Sequence, residues 1–105
     1  MEDLSGKRGK TYTEVIANTD NGESIFVHPV FNKSGHVTCT IICSNSSGKF
    51  QTSTSSQIDI EAGVATWQDW AEGTVAVNTT DVLTGPVTGI RGVSVSGEIT
   101  IEIVI

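Results

Sequence analysis

Positive charge is scarce in this 105-residue chain. Six Lys and Arg stand against twelve Asp and Glu, leaving a formal net charge of −6 and an isoelectric point near 4.6. A protein that grips nucleic acid through a basic face needs the opposite balance, so nucleic acid is not expected as a partner. Long apolar runs are lacking as well. No stretch approaches the roughly 20 apolar residues of a membrane span, and the first ten residues are polar where a secretory signal has its apolar core. The expectation is a chain made and kept in cytoplasm with no membrane partner. The sequons at Asn32, Asn45 and Asn78 are then chance products of a Ser/Thr/Asn-rich sequence, since glycosylation requires secretion.

The signatures of catalysis are missing too. There is no Gly-x-Ser-x-Gly elbow, Walker loop, His-Glu-x-x-His helix or calcium-loop spacing. Asp59 and Glu61 lie two apart, where a solvated strand face explains them better than general acid/base work. No enzyme activity and no cofactor are expected. Cysteine is limited to Cys39 and Cys43, which share one face of an alternating stretch. In a strand they would stand roughly 13 Å apart, beyond disulfide reach, so both are expected as free, buried thiols. A zinc site that added His28 and His36 would match no common finger or ribbon spacing.

What the chain does contain is strand and turn chemistry. Thr, Ser, Val, Ile and Gly are prominent, hydrophobic residues make up 37% and charged residues 17%, a balance too apolar for intrinsic disorder. The length allows one hydrophobic core and not two, and a domain this small buries only about two-thirds of its unfolded surface. Neighbouring copies would help stabilise it.

Residues 1–10 read as an extended basic arm, in which Lys7, Arg8 and Lys10 against Glu2 and Asp3 give +1 and leave the rest of the chain at −7. Residues 11–105 form a single domain. The arm's expected partner is the acidic body of a neighbouring copy or another protein. Its deletion should spare the fold and abolish assembly.

Along the domain, Thr11–Ala17 and Ser24–Phe31 read as strands joined at Asn21-Gly22, the strongest short hairpin signal present. Pro29 places the second at an edge or breaks it. Gly35–Ser44 and Lys49–Ser53 follow as strands around the turn Asn45–Gly48. Gln57–Glu61 alternates Ile58 and Ile60 with Asp59 and Glu61 and reads as a half-buried strand turned by Ala62-Gly63. Val64–Glu72 is the one place where a helical turn is conceivable. Gly73–Asn78 and Thr80–Leu83 are short apolar stretches. Val87–Val95 and Glu98–Ile105 read as a hairpin around Ser96-Gly97, with Ile99, Ile101, Ile103 and Ile105 on one face. Eight or nine short strands about ten residues apart predict an antiparallel β-sandwich, jelly-roll or immunoglobulin-like, with connectivity left open.

Trp67 and Trp70 are conspicuous in a chain with 6% aromatic residues. They share a face only in a helical turn and point to opposite faces of a strand. Either they form an exposed platform for sugar or a neighbouring subunit, or one enters the core and the other caps it.

The ending Thr84–Ile105 resembles the C-terminal Pro-x-Thr-x-Ile-Arg-x-x-x-x-Ser-Gly hairpin of short proteins encoded among tailed-phage structural genes. Pro86, Thr88, Ile90, Arg91, Ser96 and Gly97 carry the match, which covers about a fifth of the chain. The resemblance implies a β-sandwich capsid decoration or cement protein, or a small neck or tail component, located in the virion and partnered with the major capsid protein or other virion proteins. A homo-oligomer, with a trimer favoured, fits that role. Arg91 is expected to pair with a carboxylate across the sheet. The competing reading is a carbohydrate-binding or adhesive module in which Trp67 and Trp70 line a glycan platform.

Overall fold

The computed structural model describes residues 2–3, 11–27, 37–83 and 87–105. Among these residues, nine strands and one helix occur in the order β1 (Glu2–Asp3), β2 (Thr11–Ile16), β3 (Ile25–Phe26), β4 (Thr38–Cys43), β5 (Ser47–Ser53), α1 (Gln57–Ala62), β6 (Gln68–Asp69), β7 (Thr79–Val82), β8 (Gly89–Ser96) and β9 (Ile99–Val104). One sheet runs β1-β3-β8-β5-β6 and the other β2-β9-β4-β7. Without the short parallel strand β1, two four-stranded antiparallel sheets remain, in the orders β3-β8-β5-β6 and β2-β9-β4-β7. That is the interleaved order of a jelly roll, which closes the choice between jelly-roll and immunoglobulin-like connectivity.

Most chain-consecutive strands lie in opposite sheets, so both expected hairpins are corrected. Thr11–Ile16 and Ile25–Phe26 do not pair across Asn21-Gly22. β2 pairs with β9 along all six of its residues, whereas β3 pairs with β8. The 18–22 segment instead runs from one sheet to the other: Ser94 N–H donates to Asp20 O at 2.9 Å and Gly22 N–H to Gly92 O at 2.7 Å. Long-range pairing with β8 takes the hydrogen bonds that a local hairpin would have used.

The C-terminal pair behaves the same way. β8 and β9 meet across the core and not edge to edge. At the corner between them Gly97 has φ of 74°, its N–H donates to Asn18 Oδ1 at 2.8 Å, and a Cβ there would lie 2.9 Å from Ser46 Cβ. Inside, Ile101 leans over Gly92, where a Cβ would come within 2.7 Å of Ile16 Cδ1 and 3.0 Å of Ile101 Cδ1. The alternation expected for Ile99, Ile101 and Ile103 holds, all three being fully buried, with Ile105 packed against the same cluster. Ile16, Ile25, Val27, Val37, Cys39, Ile41, Phe50, Trp70 and Ile90 complete the core.

The helix is where no helix was expected. Gln57–Ala62, read from its alternation as a strand, is one and a half turns of α-helix, and Val64–Glu72 holds extended chain and the short β6. Ser56 Oγ accepts from Asp59 N–H at 3.2 Å, and Gly63, at φ 76°, closes the other end. These caps satisfy terminal groups that a strand would have had to pair with a neighbour. Residues two apart lie about 200° apart around a helix, so Ile60 is buried while Ile58 is 76% exposed. Asp59 and Glu61 consequently do not form a strand face. Gly73–Asn78 contributes only an isolated bridge, Gly48 to Val75. The Pro29 expectation and the second half of that expected strand, residues 28–31, lie outside the described residues.

Candidate contact patch on the five-stranded sheet

The outer face of the five-stranded sheet is built from every second residue of β5 and β8. Phe50 points into the core, so Lys49 and Gln51 on either side of it point outward. The register places Gln51 opposite Asp69 of β6 on one side and Arg91 of β8 on the other. Asp69, Gln51 and Arg91 therefore form one row across three strands.

Hydrogen bonds run the length of that row. Lys49 Nζ lies 3.0 and 3.1 Å from the two carboxylate oxygens of Asp69. Gln51 Nε2 donates to Asp69 Oδ1 at 3.0 Å, and Arg91 Nε donates to Gln51 Oε1 at 2.9 Å. The Gln51 amide thus has a defined orientation. Its nitrogen faces an anion and its oxygen a cation. Hydrogen bonds from Gln51 and Lys49 hold the Asp69 carboxyl below the usual carboxylate range, and partial burial lowers the Arg91 pKa. The expected carboxylate partner of Arg91 is therefore corrected: across the sheet stands the neutral Gln51, because the one carboxylate of the row sits a strand further away.

Trp67 closes the end of the row, with its ring 4.5 Å from the Arg91 guanidinium carbon. It is two residues before Asp69 and follows the extended chain onto the same side. Trp70, three residues on, goes the other way: 5% exposed, it packs edge-on to Phe50 at 5.0 Å and 65° and donates from Nε1 to Gly73 O at 2.6 Å. An exposed platform of both rings is thereby excluded. One Trp enters the core and one caps the sheet, as opposite-facing positions in extended chain require. Gly89 allows Trp67 to sit close, since a Cβ there would lie 3.2 Å from Trp67 Cη2 and 2.8 Å from Ile60 Cδ1. Helix α1 and Trp67 together cover one end of this face. The hollow beside them, lined by Thr52, Ser53, Thr54, Thr66 and Gln68, holds about 60 Å³.

The four-stranded sheet shows a different outer face. Thr11, Val104, Thr38 and Val82 share one row, and Thr13, Glu102, Thr40 and Thr80 the next. Glu102 is the single charge in these two rows. At the rim of the sandwich Glu14 accepts Glu23 N–H at 3.0 and 3.1 Å, tying the edge strand β2 to the crossing segment.

Cys39 is buried and Cys43 half-buried, and both are free. Burial, with a contribution from Asp81, pushes the Cys39 thiol up to about 12, which makes it inert as a nucleophile. Among the described residues no three His, Cys, Asp or Glu side chains gather closely enough to hold a metal ion. His28 and His36, like Lys7, Arg8 and Lys10, lie outside the described residues. Of the arm, Glu2 and Asp3 pair in parallel with Ile25 and Phe26 of the same chain.

Trp67 and Arg91 were thus recognisable from the sequence, and the structure brings them into contact. Lys49, Gln51 and Asp69 were missed. Only their alternation with Phe50 and Trp70 hinted that they face outward, and nothing local announces a row whose three strands come from separate parts of the chain.

No family model matches the chain, and neither does any curated protein. Among solved structures, similarity is found to Drosophila melanogaster CENP-C bound to CAL1, at a TM-score of 0.47 and 3% identity over 94% of this chain and 63% of that one. NovW, a 4-keto-6-deoxy sugar epimerase of Streptomyces spheroides, gives 0.47 and 10% over 90% and 44%. An oxalate oxidase gives 0.45 and 10% over 89% and 39%. The chain thus spans less than two-thirds of the length of each of these three. Likenesses this distant carry no argument about function.

Proposed function

We propose that this chain is a non-catalytic structural protein of a tailed-phage virion, a decoration protein that binds the assembled head and stabilises it. The observation that carries the reading is the braced row Asp69–Gln51–Arg91 with Trp67 across its end. It holds an Arg and a Trp, the residue types most enriched at contact hot spots, on a rigid sheet face and not on a mobile loop. The phage-like C-terminal segment supplies part of it, since Arg91 belongs to that match.

Such a protein needs no active site. Each copy contacts a repeating lattice, so weak single contacts add up through multivalency. Binding the assembled shell more tightly than free subunits stabilises the shell by ordinary linkage.

Co-sedimentation of the purified chain with intact heads of a tailed phage, and separately with unassembled capsid subunits, tests the proposal. Retention by heads with little retention by subunits is the expected result. A chain that ignores heads, yet is held on a glycan array through Trp67, would replace this reading with the carbohydrate-binding one.

A further inference from the structure

Arg91 carries a charge that the described residues leave uncompensated. Of the six cationic side chains, the described residues include two, Lys49 and Arg91, and both lie on the outer face of the five-stranded sheet. Lys49 is neutralised by Asp69. Arg91 gives its Nε hydrogen to a neutral amide and one face to Trp67. Its Nη hydrogens have no acceptor among the described residues.

The row orients the guanidinium without discharging it. A Glu at position 51 could take the same Nε hydrogen and would cancel the charge; Gln51 takes it and leaves the charge intact. Asp69 fixes which way the amide points, and Lys49 holds Asp69. Trp67 limits side-chain motion, so less rotamer entropy is lost when a partner arrives. What remains is a planar fork of N–H donors on a chain that is otherwise acidic.

We propose that the Nη edge of Arg91, held by Gln51 and Trp67, is the docking point for an Asp or Glu side chain of a partner protein. This rests on the reading of the chain as a protein-binding structural module. A carboxylate matches the fork with two parallel hydrogen bonds, a geometry an ammonium group cannot reproduce. Val93 and the exposed Val95 continue along β8 on the same face, offering apolar rim that excludes water from the ion pair. A protein carboxylate is favoured over an acidic sugar for two reasons. Arg91 already occupies one face of the Trp67 ring, and the adjoining hollow of about 60 Å³ falls far below the roughly 300 Å³ at which ligand pockets begin.

The decisive variant moves the row's carboxylate by one strand. Gln51→Glu combined with Asp69→Asn keeps net charge and hydrogen-bonding shape while placing the anion against Arg91. An N-acetylated, C-amidated tetraglutamate peptide titrated into the intact chain should shift the Arg91 Nε–H and Trp67 indole N–H resonances saturably. The double variant, with an otherwise unchanged spectrum, should lose the effect. Arg91→Lys, which keeps the charge and loses the fork, should bind roughly tenfold or more weakly.

No saturable shift in the parent chain, or equal binding by the double variant, would overturn the inference. So would tighter binding of an oligoglucuronate than of the peptide. Head binding separates the two readings: heads retained equally by parent and double variant would sink the docking point and spare the proposed function. Peptide binding that follows the variants, in a chain that ignores heads, would do the reverse.

Discussion

At the scale of single residues, close packing and charge give separable effects. Gly92 lies where the layers approach most tightly, and an added methyl would meet the side chains of Ile16 and Ile101. Gly92→Ala is expected to destabilise by about 1–3 kcal/mol, the usual range for overpacking a core, and a chemical denaturation midpoint measures it. Glu72 tests electrostatics. Its carboxyl holds its proton more firmly than usual, first because of a hydrogen bond with Asp81 and then because of that residue's negative charge. A carboxyl whose folded pKa is raised contributes stability while protonated, and that stability is lost as pH rises through its folded value. Glu72→Gln should therefore raise the thermal midpoint at pH 7, with the gain shrinking toward pH 4 and in high salt. Asp69 has the opposite sign. Its pKa is lowered by Gln51 and Lys49, so its contribution is present at neutral pH and lost on acidification, and Asp69→Asn should cost stability at pH 7 more than in acid.

At the scale of elements, helix α1 shows where alternation misleads. Ile58 and Ile60 alternate with acidic residues as a half-buried strand would, yet Ser56 and Gly63 supply both caps of a short helix. Only one Ile then faces the sheet. Ile60→Ala should destabilise by about 2–4 kcal/mol, and Ile58→Ala by less than about 0.5 kcal/mol; a strand would have made the two costs similar. Thermal melts of the two variants decide it. Ser56 and Gly63 flank those six residues in the sequence, and the terminal groups that they satisfy outweigh the alternation.

Hairpins failed for a related reason. Ser96-Gly97 does mark a sharp change of direction, with Gly97 at φ 74°. The turn expected at Asn21-Gly22 falls at Asn18-Thr19, where Thr19 takes φ 60° and Asp20 N–H donates to Ala17 O at 3.0 Å, and Asn21 is instead bridged to Val93. Whether a turn returns the chain to the same sheet or carries it across to the other is not a local property. It is decided by which distant strand offers the better partner, as β9 does for β2 and β8 for β3. The same nonlocality hid Gln51 as the neighbour of Arg91, forty residues away, while the identity of the core, above all the Ile99-Ile101-Ile103 face, needed only a period of two.

At the scale of the whole molecule, interleaving makes the C-terminus structural. Had Glu98–Ile105 been the outer half of a hairpin, trimming its end would have frayed one edge. β9 instead lies between β2 and β4 and forms six residue pairs with each. Removing Glu102–Ile105 deletes three of the six pairs on either side together with Ile103, which is fully buried. Loss of that side chain alone is worth about 2–5 kcal/mol, against a total stability of roughly 5–15 kcal/mol for a domain of ordinary stability. Three lost pairs on each side, with β2 and β4 then unjoined at one end, add to it. The truncated chain is expected to show no cooperative thermal transition by circular dichroism. Removing residues 1–10, which among the described residues costs two parallel pairs at the far edge of the other sheet, should leave a single sharp transition. If both truncations melt alike, β9 is not the strand that joins the four-stranded sheet. With so many sheet partners distant in sequence, refolding of the full chain should also be slow, on the order of milliseconds to seconds in stopped-flow fluorescence of the buried Trp70. Microsecond recovery would imply a locally paired fold and contradict the interleaved order.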